Sequence, residues 1–241
     1  MENNEVVEQK SEKLTKKNYL YIFLFFGFVV ATLLIIVTEL TWNQVCKAIG
    51  FEQSIEREVL ECFLRAALLE ETFKFLGFIL ARKKFKISRV SDSMFAAGCV
   101  GLMYGIVEKI VLFDPIAIVV NLIFPMHLLW QWNQGRHYQI GKDEKKKGNK
   151  KKAFLHFFLA TFVIFLIHGT WDALISIGVH LVGLKPGFEN SDLYGGLILG
   201  VTLLLGIIYT IITFIITIKT ARKAKRESTN NTEASTETNN G

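Results

Sequence analysis

Apolar residues occur in six long runs, separated by short polar or basic stretches. Each run has about 20 residues, the length that an α-helix needs to cross a hydrocarbon core of about 30 Å. The pattern therefore predicts six membrane-spanning helices. They are expected at 19–37, 59–80, 93–113, 116–132, 153–175 and 193–218.

The polar segments around these runs complete the predicted organisation. Residues 1–18 are polar and charged and are interpreted as a cytoplasmic leader. Residues 38–58 mix apolar and polar positions, which predicts an interfacial helix. Residues 219–241 begin with basic residues and continue with Ser, Thr, Asn and Glu, which predicts a disordered cytoplasmic tail. The fold class is all-α, a polytopic membrane protein with one six-span domain at 19–218.

The basic residues are unevenly distributed. Most of the 28 Lys and Arg residues lie in the leader, after the second and fourth spans, and at the start of the tail. Cytoplasmic loops carry such an excess, so both termini are predicted to lie inside, with the protein in the plasma membrane. Although the net charge is +6, this clustering argues against nucleic acid and for the lipid bilayer as a partner. The three cysteines match no zinc signature and are interpreted as small buried side chains.

Three charged residues interrupt the second span. Glu70, Glu71 and Lys74 lie within five residues of an otherwise apolar run. An ionisable group at mid-bilayer costs at least a few kcal/mol, so these side chains should face a protein interior or a water-filled cavity. Glu70 and Lys74 have the i,i+4 spacing of an ion pair. Glu71 points about 100° away around the helix and is expected to meet another neighbour.

Three later spans carry polar residues that could partner these charges. Each alone is compatible with a structural role, but together they predict one shared polar site between helices 2–5. Counted from the span ends, two of them lie nearer the outer surface than Glu70, a mismatch that approaches about 10 Å. Glycines in the third span would let a neighbouring helix approach closely. The polar residues are Tyr104, Glu108, His127, His168 and Asp172, and the glycines are Gly98, Gly101 and Gly105.

These motifs resemble the PrsW family of intramembrane proteases, which is similar to the CAAX-endopeptidase and bacteriocin-processing group. The order of motifs on successive spans carries the resemblance, which covers about residues 61–174. One departure is Tyr104, where the family more often has Phe. The matching elements are Glu-Glu-x-x-Lys at 70–74, Tyr-x-x-x-Glu at 104–108, His127 with Gly135 eight residues later, and His-x-x-x-Asp at 168–172.

The resemblance implies a membrane-embedded endopeptidase. Members of the family typically make the first, site-1 cut in a membrane-anchored anti-sigma factor, which leads to a cell-envelope stress response. A membrane-anchored, anti-sigma-factor-like protein is therefore the expected substrate. The predicted catalytic residues are Glu70, Glu71, Lys74, Glu108, His127, His168 and Asp172.

Peptide hydrolysis needs an activated water, an oxyanion stabiliser and a proton donor for the leaving amine. One of the paired glutamates is expected to act as the base, and the sequence leaves open which one. His168, oriented by Asp172, is expected to position the water or protonate the leaving group, and His127 to stabilise the oxyanion.

Metal dependence is the second open point. Metal-independent catalysis without a cofactor is favoured, because Lys74 beside the carboxylates opposes a cation and no His-Glu-x-x-His motif occurs. Zinc is the alternative, with ligands drawn from Glu71, Glu108, His127 and His168.

Two non-proteolytic functions are the alternatives to a protease. One is a non-catalytic scaffold or immunity-type protein of the same fold. The other is a small proton-coupled carrier, which inverted repeats would favour. No such repeats are evident in the sequence.

Overall fold

The computed structural model describes residues 14–50, 54–111, 125–183 and 191–237. Within these ranges the chain forms six continuous helices and no strand. Three of the helices contain a π-helical stretch. The helices are α1 (Lys16–Tyr21, Ile22–Gly27 and Phe28–Ala48), α2 (Ile55–Glu61, Cys62–Leu69 and Glu70–Lys84), α3 (Val90–Val111), α4 (Met126–Lys146), α5 (Lys150–Phe158, Leu159–Val163 and Ile164–Gly183) and α6 (Ser191–Glu237).

The predicted all-α, polytopic membrane architecture is confirmed. Stretches of α1, α3, α5 and α6 are long and apolar enough to cross a membrane. Large apolar side chains of α1 and α6, such as Leu24 and Leu204, are exposed, as expected where the surrounding solvent is hydrocarbon. Helices α2 and α4 carry the charged and polar residues of the second and fourth predicted spans, many of them buried among the other helices.

Local chemistry fixes several helix ends. Thr15 caps α1, where its side chain accepts a hydrogen bond from the Asn18 amide. Ser54 caps α2 in the same way through the Arg57 amide, at 3.2 Å. Pro125 directly precedes α4. Gly148, with φ +80°, forms the tight turn to α5, a backbone conformation that favours glycine.

Short turns bring the basic segments to one end of the bundle. The turn from α2 to α3 and the turn from α4 to α5 lie close together, since the Arg82 guanidinium donates to Gln139 Oε1 at 3.1 and 3.2 Å. The start of α1 joins them through the Tyr19 hydroxyl, which donates to Asp92 at 2.9 Å. We call this the basic end. Its exposure to the cytoplasm stays a prediction.

The fourth span differs from the prediction at 116–132. Helix α4 continues to Lys146, and the first part of the predicted span, 116–124, lies outside the described residues. Hydropathy missed the second half of α4 because polar side chains there are buried by protein. Gln134 and Gln139, for example, are 1% and 0% exposed. This shift moves His127 to the beginning of the helix.

Two polar segments also differ from their predictions. Residues 38–48 extend α1 and residues 55–58 begin α2, so these parts of 38–58 form no separate interfacial helix. Helix α6 continues through most of the predicted disordered tail to Glu237. Lys, Arg and Ala are frequent at 219–226 and favour helix, which accounts for the first part of the continuation; the Ser, Thr and Asn residues that follow have lower helix propensity. Residues 1–13 of the leader and 238–241 of the tail lie outside the described ranges.

Glycines bring α3 and α4 into close contact, from the predicted site at Gly101 toward the basic end at Gly135. A Cβ atom on Gly98 would lie 2.1 Å from the Trp132 ring, and one on Gly101 would lie 2.3 Å from the His127 carbonyl oxygen. A Cβ atom on Gly135 would lie 2.4 Å from the backbone oxygen of Ser93. The predicted close approach at Gly98 and Gly101 is thus present, with α4 as the partner.

Gly135→Ala is expected to destabilise the bundle, because the backbone of Ser93 has no flexible end that could move aside. Overpacking of this kind typically costs about 1–3 kcal/mol. Gly200→Ala is the matched control, since a Cβ atom there meets no atom within 4 Å. Thermal unfolding in detergent should show a lower midpoint for Gly135→Ala and no loss for Gly200→Ala. Equal midpoints would contradict the close α3–α4 contact.

Candidate active site

A buried lysine lies at the centre of the predicted site. Lys74, on α2, is 0% exposed. Its Nζ atom lies 2.6 Å from Glu71 Oε1 and 3.3 Å from Glu70 Oε2. It also donates to Nδ1 of His127, at 3.0 Å, and lies 4.4 Å from the centre of the Tyr104 ring. The ammonium group therefore joins α2 to α3 and α4.

The two neighbouring glutamates have different surroundings. Glu71 is enclosed by protein: Oε1 contacts Lys74 and also His168 Nδ1, at 2.8 Å, while Oε2 accepts a hydrogen bond from Gln131 Nε2 at 2.7 Å. Three polar groups thus satisfy this carboxylate, which is what a buried charge requires. These contacts hold Glu71 in the packed interior and connect α2 to α4 and α5.

Glu70 faces a cavity of about 270 Å³. Besides its ion pair with Lys74, Glu70 is hydrogen-bonded to the Tyr104 hydroxyl. Its Oε2 atom lies 3.9 Å from His168 Nε2. Glu71 does not line this cavity. The cavity extends from Glu70 toward the Ile55 end of α2, away from the basic end. Its lining residues are Ile35, Thr38, Glu58, Glu61, Cys62, Arg65, Ala66, Glu70, Tyr104, Glu108, Asp172 and Ser176.

Carboxylates hold His168 on both sides of its ring. Nδ1 faces Glu71, and Nε2 lies 3.0 Å from Asp172 Oδ2. Because carboxylates accept hydrogen bonds, this geometry suits a ring that carries a proton on each nitrogen. The indole of Trp130 stacks on the ring with the centroids 4.2 Å apart, which fixes the ring plane.

His127 is oriented by one residue at each ring nitrogen. Lys74 donates to Nδ1, so Nε2 carries the proton and donates to Glu108 Oε2, at 3.1 Å. Glu108 is further paired with Lys109, at 3.1 Å. The structure therefore connects His127 to the cavity wall through Glu108.

All seven predicted site residues form one connected cluster. The expected depth mismatch disappears because His127 lies in the first turn of α4 and Glu108 in the last turn of α3. These ends meet Glu70 and His168 in the part of the bundle opposite the basic end. The predicted boundary of the fourth span had placed His127 too far along its helix.

Two buried residues of the site were missed in the sequence. Gln131 and Trp130 are 0% and 1% exposed and contact Glu71 and His168 directly. Gln131 lies four residues after His127, on the same face of α4, and it is a polar residue in an apolar stretch. That spacing is the signal that could have identified it.

An all-helical membrane protein with carboxylates and histidines buried around a cavity has the architecture of an intramembrane hydrolase. The sequence matches the PrsW family of intramembrane metalloproteases over residues 15–205. The chain belongs to this family and is a membrane-embedded protease. No curated protein and no solved structure shows a significant match to the chain.

The family description implies a metal ion, and the site contains a suitable donor set. Glu70, His127 and His168 are buried, and each offers one ligand atom within 4.8 Å of the others. Two histidines and a carboxylate are a known set for catalytic zinc. Zinc, the alternative in the sequence, therefore fits this donor set, with Glu70 in place of Glu71 and Glu108, once His168 has lost one of its two ring protons. Lys74 borders the set, but Glu71 contributes a further negative charge beside it.

Lys74→Met is expected to destabilise the protein strongly, because it leaves Glu70 and Glu71 buried without their cation. Removing one partner of a buried pair typically costs about 3–5 kcal/mol. Lys147→Met is the control, because Lys147 is 64% exposed in its pair with Glu144, and such pairs contribute about 0–1 kcal/mol. Unfolding in detergent measures both. Equal stabilities of the two variants would show that the Lys74 pairs do not stabilise the bundle.

Proposed function

We propose that this protease makes the first cut in a membrane-anchored regulatory protein of the anti-sigma-factor type. The observation that carries the proposal is the position of Glu70, a buried carboxylate on the wall of a cavity inside a membrane bundle. A volume of about 270 Å³ is too small for a folded domain and suits a short unfolded stretch of a substrate. The resemblance of the motifs supports this substrate class. We also propose that the protein lies in the plasma membrane with both termini inside, which the clustering of basic residues supports.

In the proposed reaction Glu70 is the base. It is the member of the glutamate pair that faces the cavity, where water and the peptide bond can reach it. It accepts a proton as the water oxygen attacks the carbonyl carbon, and the C–N bond then breaks. Glu71 does not take part directly. It holds Lys74 and His168 in place.

His168 is the proposed proton donor to the leaving amine. Its Nε2 atom lies between Asp172 and Glu70, both of which line the cavity. Asp172 holds the ring in position, as a carboxylate does for histidine in catalytic triads. The His127 N–H points to Glu108, also on the cavity wall, so a carbonyl oxygen that displaces Glu108 would meet this donor.

Glu70, His127 and His168 are also the residues that would hold zinc. Bound there, the metal would supply Lewis-acid activation of the peptide carbonyl. Helices α2, α4 and α5 present the three side chains. A His127 ring that gave one nitrogen to the metal would keep the partner on its other nitrogen only, either Lys74 or Glu108.

Glu70→Gln is expected to lower kcat/KM by about 10²–10⁴-fold, the usual contribution of a general base. The assay reconstitutes the protein in liposomes with a panel of single-span proteins whose cytoplasmic domains bind sigma factors. Product fragments are measured on gels and by mass spectrometry. Glu144→Gln, at the basic end, is the control and should cleave normally.

Unchanged cleavage by Glu70→Gln would overturn its proposed role. Cleavage of unrelated single-span proteins, with none in the panel, would overturn the proposed substrate class. A chelator arm settles metal dependence: loss of cleavage that zinc restores supports the metal, and cleavage that resists the chelator supports a metal-free reaction.

Blocking the cavity is expected to stop cleavage. Cys62 lines the cavity, and the other two cysteines, Cys46 and Cys99, do not. In a Cys46→Ser/Cys99→Ser background, a bulky maleimide on Cys62 should abolish cleavage by filling the space that the substrate needs. A variant that also carries Cys62→Ser should keep its activity in the reagent. Full activity after complete labelling of Cys62 would show that the substrate takes another route.

A further inference from the structure

We propose that Gln131 is a positioning residue, which fixes the carboxylate of Glu71 so that a single oxygen holds both Lys74 and His168. Its Nε2 atom donates to Glu71 Oε2 at 2.7 Å, and its side chain is fully buried. The other oxygen, Oε1, then receives Lys74 at 2.6 Å and His168 at 2.8 Å. The inference rests on the proposed function, because it assigns these two groups a place in the reaction.

The chemistry of Gln131 supports a role as a donor. Its Oε1 accepts no hydrogen bond within the described part of the chain. A buried carbonyl without a partner is unfavourable, and a methionine of similar length would avoid it. The amide orientation follows from the neighbour, because Oε1 turned toward Glu71 would place two acceptors together. The group that makes a contact is therefore the N–H.

Gly101 on α3 leaves room for the Gln131 side chain. A Cβ atom on Gly101 would lie 2.5 Å from Gln131 Cγ and 2.8 Å from Gln131 Cβ. The absence of a side chain on α3 thus lets Gln131 reach past α3 to α2. The same glycine faces the His127 carbonyl oxygen, so one small residue makes room for two parts of the site.

The consequence is geometric. Without the Gln131 hydrogen bond, Glu71 can rotate and share its two oxygens between Lys74 and His168. Both groups would then shift relative to Glu70, which contacts each of them. This shift would change the positions of the groups that react more than the binding of a substrate, because Gln131 does not line the cavity.

The test replaces Gln131 by Met and measures kcat and KM separately in the liposome assay, with a panel substrate that the wild type cleaves. We expect kcat to fall about 10–100-fold, the usual effect of losing a hydrogen bond to a charged group, with KM within about twofold. Gln134→Met is the matched control. Gln134 lies on the same helix, is 1% exposed and also has an unpartnered Oε1 in the described residues.

A second measurement needs no substrate. Ring ¹⁵N NMR of histidine-labelled protein in detergent follows His168, whose signals are those lost in His168→Gln. Gln131→Met should shift them, and Gln134→Met should leave them in place. If the wild type cleaves nothing, the proposed function fails, and this comparison still tests Gln131.

The final test is a double variant, Glu71→Gln/Gln131→Glu, in which the two side chains exchange places. It restores an amide–carboxylate hydrogen bond but moves the charge to α4, so it should not recover kcat. Unchanged kcat together with unchanged His168 signals in Gln131→Met would overturn the proposal. A rise in KM alone would do so as well, since it would place Gln131 in substrate binding.

Discussion

The structure depends on one buried cation. Lys74 has no exposed surface, and a lone ammonium group inside a membrane bundle would be very unfavourable. Its partners come from its own helix, as Glu70 and Glu71, and from α3 and α4, as Tyr104 and His127. Through Glu71 the network reaches His168 on α5. The need to satisfy this charge therefore draws the four helices of the site together.

The same network separates two residues that are adjacent in sequence and identical in chemistry. Consecutive positions on a helix point about 100° apart, so Glu71 enters the packed interior while Glu70 meets the cavity. Enclosure gives Glu71 a full set of hydrogen-bond partners and leaves its neighbour accessible. The PrsW family is described as metalloproteases, which is consistent with a reactive or metal-holding role for Glu70. The family description also favours metal-dependent catalysis, which the sequence analysis had placed second.

Much of this arrangement can be predicted from charge and hydropathy. Glu70, Glu71 and Lys74 stand out because they interrupt an apolar run, and the later histidines follow as their partners. The second half of α4 could not be predicted in this way, because hydropathy assumes that a span faces lipid, and Gln139 faces protein. Gln131 was missed for a related reason: a single amide carries no charge to demand a partner. Which glutamate faces the cavity depends on helix packing, which periodicity does not specify.

The distance of the site from the basic end has a consequence for the reaction product. From Glu70 to the end of α2 at Lys84 the helix rises about 21 Å at 1.5 Å per residue. A substrate cut at the level of Glu70 would keep a helical stub of about that length on the basic side. The stub is shorter than the hydrocarbon core of about 30 Å. The fragment would be held by a segment too short to span the bilayer, so local thinning of the bilayer or snorkelling of flanking side chains would accompany its retention.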